Sequence, residues 1–146
     1  MNTGRIHCRY GWVEEHGTVA DTSLRITAET VPDLFAAAGW GLTWLILDPD
    51  EVSETIHRTI CVVSDTVDAL LIEWLNELLY RFEVHHEVFH RFEVSLDGLS
   101  LTADIHGAVI DRDTAVFRND VKAVTWHGLA VRRSRVGFTV QVIFDL

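Results

Sequence analysis

The spacing of apolar residues changes along this chain. Tyr10 to Val13 and Ser23 to Ala28 alternate in the two-residue rhythm of half-buried strands, and the intervening EEHGTVAD is rich in turn formers and polar groups. This reads as two strands around a polar loop. The period then lengthens. In TVPDLFAAAGWGLTWLILD, Leu34, Phe35, Ala38, Leu42, Leu45 and Ile46 recur at intervals of three and four, which predicts a helix from about Val31 to Leu47 with one stripe turned to a core. Thr30, with Asp33 three residues on, makes a capping-box-like start, and Pro32 sits in the first turn, where its missing N–H is tolerated. Gly39 and Gly41 mark a close approach to a sheet.

After a turn at Asp48-Pro49-Asp50, EVSETIHRTICVV alternates again as a strand. The strongest helical pattern follows in SDTVDALLIEWLNELLYRFE, where Val67, Leu70, Leu71, Trp74, Leu75, Leu78, Leu79 and Phe82 form the stripe and Asp65 is placed to cap the first turn. Glu73, Asn76, Glu77 and Tyr80 lie off it. The remainder reads as strands: VHHEVFHRFEVSL, LSLTADIHGAV after a turn at Asp97-Gly98, VKAVTW, and a closing hairpin that ends in GFTVQVIFDL. Two helices and about seven strands with short connections predict an α+β sandwich, with both helices packed on one face of a mostly antiparallel sheet.

Composition narrows the class. The chain has 146 residues, 48% apolar and 23% charged, which fits one domain spanning 1–146 with a core that needs no disulfide or structural metal. The start MNTGRIHCRY lacks the apolar run of a signal peptide, and Cys8 and Cys61 have no metal-finger spacing, so a reducing, cytoplasmic compartment is expected. Apolar runs such as LTWLILD are too short to cross a bilayer. A formal net charge of −10 repels a phosphate backbone and suits a basic partner. The one basic cluster, Arg132, Arg133 and Arg135, falls at the predicted hairpin tip, where it reads as a solubilised turn or a phosphate contact.

Common catalytic motifs are missing: there is no G-x-S-x-G, no phosphate-cradling loop, no G-x-G-x-x-G and no H-E-x-x-H. Among the eight histidines, VHHEVFH is the densest group. On a strand His86 and His90 would stand roughly 13 Å apart, too far to share a metal. Cys61 lies in a predicted strand, which favours a buried, inert thiol. Oxygen chemistry remains. Along TVQVIFDL, Val140, Val142, Phe144 and Leu146 face one way and Asp145 the other, so a strand running to the last residue fixes an acid at the rim of a sheet. Asp21, between the first two strands, Asp145 and the Leu146 carboxylate read from the residues alone as solvated surface acids or as a rim that could offer a hard divalent cation its oxygens.

Four stretches then supply a resemblance. LLIEWLNELLY (Leu70 to Tyr80), VKAVTWHGL (Val121 to Leu129), the terminal VIFDL and EHGTVADTSLRI near the start resemble the archease family in order and spacing, over essentially the whole chain. The resemblance implies a protein that is no enzyme itself but a cofactor of the RtcB-type RNA ligase. It would promote guanylylation of the ligase's histidine by GTP and allow multiple turnovers in tRNA splicing and RNA repair, meeting tRNA or other RNA only through the ligase. It implies a metal site at Asp21, Asp145 and Leu146, the last through its terminal group or main chain. Calcium is the implied metal, with magnesium, manganese or zinc as alternatives, and Glu73, Lys122 and His127 are implied members of a functional surface. The chain departs from the family in three places. Where the family reads E-H-T-A-D-V-G, two further residues stand between Glu15-His16 and Asp21 and no Gly follows; Ala108 replaces an acid; and Trp126 replaces a Tyr, losing its hydroxyl. The rival reading is a small metal- or nucleotide-dependent hydrolase using the same carboxylates.

Overall fold

A helix that is apolar on every side must be covered on every side. The computed structural model, which describes residues 4–17 and 20–146, is organised around such a helix. Its elements run β1 (Arg5–Cys8), β2 (Gly11–Gly17), β3 (Asp21–Ala28), α1 (Val31–Ile46), β4 (Ile56–Val63), α2 (Val67–His85), β5 (Glu87–Asp97), β6 (Ser100–Val109), β7 (Ala123–Thr125), β8 (Arg132–Arg133) and β9 (Phe138–Asp145), with a short 3-10 turn at Pro49–Glu51. Eleven of the sixteen residues of α1 are buried, more than a single stripe. Its two glycines face opposite walls. A Cβ on Gly39 would stand 2.9 Å from the Phe92 ring of β5, and one on Gly41 would stand 2.9 Å from Leu24 of β3.

Those walls are two sheets, so the α+β sandwich has its strands divided. The larger sheet has the order β1-β2-β3-β9-β7, with β8 also on β9, and the smaller has the order β4-β6-β5; every pairing is antiparallel. The helices lie between them, α1 against both sheets and α2 against α1, β4, β5 and β7. Each sheet therefore has one face in the core and one outward. On β3 the core side holds Thr22, Leu24, Ile26 and Ala28, all essentially inaccessible, and the outer side holds Asp21, Ser23, Arg25 and Thr27.

Local chemistry sets the helix ends. The Asp33 amide donates to Thr30 Oγ1 at 3.2 Å, as the capping pattern requires. The second cap is Thr66, not Asp65: its hydroxyl accepts from the Ala69 amide at 3.0 Å. The expected strand at VHHEVFH also shifts. α2 runs on through His85 and ends at His86, whose φ of 57° forms a left-handed cap; β5 begins only at Glu87. His86 and His90 thus never share a strand. The segment EEHG, expected in a loop, is paired strand, because Glu14, Glu15, His16 and Gly17 face Arg25, Leu24, Ser23 and Thr22. Thr18 and Val19, where the chain departs in length from the family pattern, lie outside the described residues.

Polar ties hold the layers in register. The Trp74 Nε1–H donates to the Phe35 carbonyl at 2.9 Å, joining α2 to α1. The ladder of β5 and β6 shifts between Phe89 and Arg91; the Thr43 hydroxyl of α1 donates to the Phe89 carbonyl, and the Phe92 amide donates to the Tyr10 hydroxyl at 2.8 Å. Gly107 of β6 permits this irregularity, since a Cβ there would fall 1.9 Å from the Val88 carbonyl oxygen. The nearly inaccessible Glu87 carboxylate accepts from Arg58 at 2.8 Å and from Arg81 at 3.4 Å, so its charge is paired. Among the described residues no helix is long and apolar enough to cross a membrane.

Cys61 departs from the burial expected of it. Cys61 is exposed on the outer side of β4, whereas Cys8 is buried and its surroundings push the thiol pKa up. A thiol whose folded pKa is raised resists ionisation, so stability is retained below the unfolded-state pKa and falls as pH rises past it. Under native conditions near pH 8, a disulfide thiol reagent should therefore label Cys61 within minutes and Cys8 only on unfolding. Rapid native labelling of both would contradict the packing of β1.

Candidate metal centre

The site begins with the parity of β9. Phe144 and Val142 are fully buried, and Val140 nearly so, between the sheet and the helices; alternation therefore turns Asp145 to the outer face, where it is exposed. β9 is an interior strand, with β3 on one side and β7 on the other. The register sets Asp21 opposite Asp145 on the β3 side and Ala123 opposite it on the β7 side. Directly opposed residues of an antiparallel pair project to one face with their Cβ atoms about 5 Å apart. The two carboxylates consequently share a face at the same end of the sheet.

The backbone there is pinned. The Lys122 amide donates to the Asp145 carbonyl at 2.8 Å, and the Leu146 amide donates to the Ala20 carbonyl at 3.2 Å. Beside Asp21, the buried Thr22 hydroxyl donates to Glu15 Oε2 at 2.7 Å, and the Ser23 hydroxyl donates to the His16 carbonyl at 3.1 Å. These bonds fix the end of the β2–β3 hairpin against which Asp21 sits. Glu15 belongs to the core side and His16 to the outer side, where its Nε2 lies 3.6 Å from Glu14.

The sequence-expected residues divide. Asp21, Asp145 and Leu146 come together, and the main chain of Lys122 joins them. Glu73 is exposed on α2, and His127, also exposed, follows β7, with its amide 3.4 Å from Thr125 Oγ1; among the described residues no hydrogen bond or ion pair joins either to the carboxylates. Sequence reasoning missed Glu15 and Thr22, whose tie is visible only once β2 is known to include EEHG.

The donor set is compatible with a hard cation. It comprises two carboxylates and the nearby main-chain oxygen of Leu146; among the described residues no three His, Cys, Asp or Glu side chains converge to enclose a metal unaided. Calcium and magnesium accept carboxylate, carbonyl and water oxygens together, whereas zinc sites favour nitrogen and sulfur ligands that this cluster lacks. Like charges directly opposed across a sheet destabilise it, and a bound cation would offset that repulsion.

Comparison with known proteins finds relatives along nearly the whole chain. Residues 13–146 match the Archease protein family. The chain is 31% identical over 143 residues to protein archease of Methanosarcina mazei, covering 94% of this chain and 96% of that one. It is also 31% identical over 137 residues to protein archease of Methanopyrus kandleri, covering 91% and 98%. The solution structure of Methanobacterium thermoautotrophicum protein 1598 superimposes with a TM-score of 0.79 at 27% identity, over 94% of this chain and 99% of that one. The carboxylate-bearing strands β3 and β9, α2 and the strand at VKAVTW all lie inside the matched region, and the chain belongs to the archease family.

Proposed function

We propose that this protein is a metal-binding activator of an RtcB-type RNA ligase, promoting GTP-dependent guanylylation of the ligase and repeated turnover in tRNA splicing and RNA repair. Family membership supports the reading, and the observation that carries it to particular residues is the registered Asp21–Asp145 pair. Asp21, Asp145 and the main chain of Leu146 would hold a divalent cation, calcium or magnesium by donor type. Such an ion neutralises charge on phosphate oxygens. The protein's own contribution is rigidity: β9, locked between β3 and β7, presents its acid without ordering a flexible loop. The acidic surface, at −10 overall, suits a basic RNA-binding enzyme of the cytoplasm, and contact with RNA would run through that enzyme. Glu73, Lys122 and His127 would belong to the surface that meets it.

The reading is tested by ligation with limiting RNA ligase, excess RNA ends, GTP and a divalent cation. Product should exceed one joined RNA per ligase only when this protein is present. Product per ligase that is unchanged by its addition would refute the assignment.

A further inference from the structure

The outer face of the larger sheet carries a second cluster, of opposite sign to the carboxylate pair. β3 alternates Asp21, Ser23 and Arg25 onto this face, and Arg25 stands in register with Gln141 of β9. On the other flank of β9, the closing hairpin sets Arg132 in register with Thr139, which shares that face. Arg25, Arg132, Thr139, Gln141, Gly128 and Ala130 line a cavity of about 270 Å³. Arg25 and Arg132 thus border one cavity from the two flanks of β9.

Neither of these arginines meets a carboxylate among the described residues, and both line one concavity. Arg58, Arg81 and Arg91 each meet a carboxylate within 3 Å, as expected in a chain with 22 acidic and 12 basic residues. Glu14 is opposite Arg25 on β2, but its carboxylate lies 3.6 Å from His16. The neutral groups of the cavity are already engaged: Gln141 Nε2 donates to Ser23 Oγ at 3.1 Å, and the Thr139 hydroxyl donates to the Ile26 carbonyl at 3.0 Å. No acid lines the cavity. A concave pocket with two free guanidinium forks matches the paired oxygens of a phosphate group.

We propose that this cavity binds the phosphate chain of a nucleotide, gripped by Arg25 and Arg132 from the two sides of β9. An extended polynucleotide is the poorer fit, because the pocket is small and the surrounding surface acidic. Arg25 lies four residues along β3 from Asp21, roughly 13 Å at the usual strand rise, so the pocket is separate from the carboxylate pair and does not depend on the reading given above.

The test is calorimetric titration of the metal-free protein, first with inorganic pyrophosphate and then with a nucleoside triphosphate, in low-salt buffer without phosphate. Saturable binding at one site is expected. Arg25→Ala and Arg132→Ala should each weaken it by about tenfold or more, the effect of losing one charged hydrogen-bonding group. Arg9→Ala, on the β1–β2 turn, should change it by much less than either pocket variant. Both pocket arginines are exposed, and a thermal unfolding curve for each variant confirms a folded state. The proposal is overturned by no saturable binding to the wild type, by undiminished affinity in a folded Arg25→Ala/Arg132→Ala double variant, or by tighter binding of a single-stranded RNA oligonucleotide than of the nucleoside triphosphate.

Discussion

Asp145→Ala is expected to return ligation by limiting RNA ligase to its unstimulated level, a loss of an order of magnitude or more in turnover, while barely changing the stability of this protein. The side chain is exposed on the outer face of β9, opposite to the buried Phe144, so removing it opens no cavity. Truncation at such a position is usually worth within about 0.5 kcal/mol. Asp21→Ala should repeat the functional loss, since a cation that needs both carboxylates cannot be held by one. Multiple-turnover assays paired with thermal unfolding separate the two effects. Stimulation at the wild-type level by either folded variant would remove that residue from the mechanism.

Trp74→Ala is expected to be the costliest substitution for the fold, at about 3–5 kcal/mol. Trp74 is fully buried, its ring meets Phe92 of the smaller sheet edge-on with centroids 6.0 Å apart, and its indole N–H satisfies the Phe35 carbonyl of α1. One side chain thus connects α2, α1 and β5. Truncation leaves a cavity and an unsatisfied carbonyl together, two costs that add. Trp74→Phe keeps most of the volume but loses the donor, and should cost roughly 1–3 kcal/mol. Urea unfolding monitored by far-ultraviolet dichroism measures both. A loss below about 1 kcal/mol for the alanine variant would contradict the packing of the helices between the sheets.

Period and capping made much of the fold legible. The apolar intervals located both helices to within a residue or so at most ends, and the Thr30 cap stands as its spacing required. Division into two sheets was not legible, because alternation says which face of a strand is buried and nothing about which strand lies beside it. The near-total burial of α1 gave a hint: Ala36, Ala37, Gly39 and Gly41 leave little polar surface for solvent. At His86 the β-rich pattern of VHHEVFH misled, since a left-handed cap depends on one residue's backbone and leaves no periodic trace. Cys61 misled for a related reason: being on a strand does not say on which side.

The carboxylate pair was half legible. Alternation in VQVIFDL turned Asp145 outward, and β9 has that parity. The pairing of Asp21 with Asp145 joins residues 124 positions apart and depends on a register that only tertiary structure supplies. Arg25 was not singled out at all. Its partner Arg132 lies 107 positions away, and their convergence follows from the same β3–β9 ladder that aligns the acids.

The central claim is that two opposed carboxylates at the end of this sheet hold a divalent cation, and calcium titration of the isolated protein tests it most directly. Heat of binding should reveal one saturable site in the wild type, accompanied by a rise in unfolding temperature, and both should vanish in Asp145→Asn, which keeps the size of the side chain and removes its charge. A wild type that binds no calcium or magnesium, or an Asp145→Asn variant that binds as tightly as the wild type, would contradict the account.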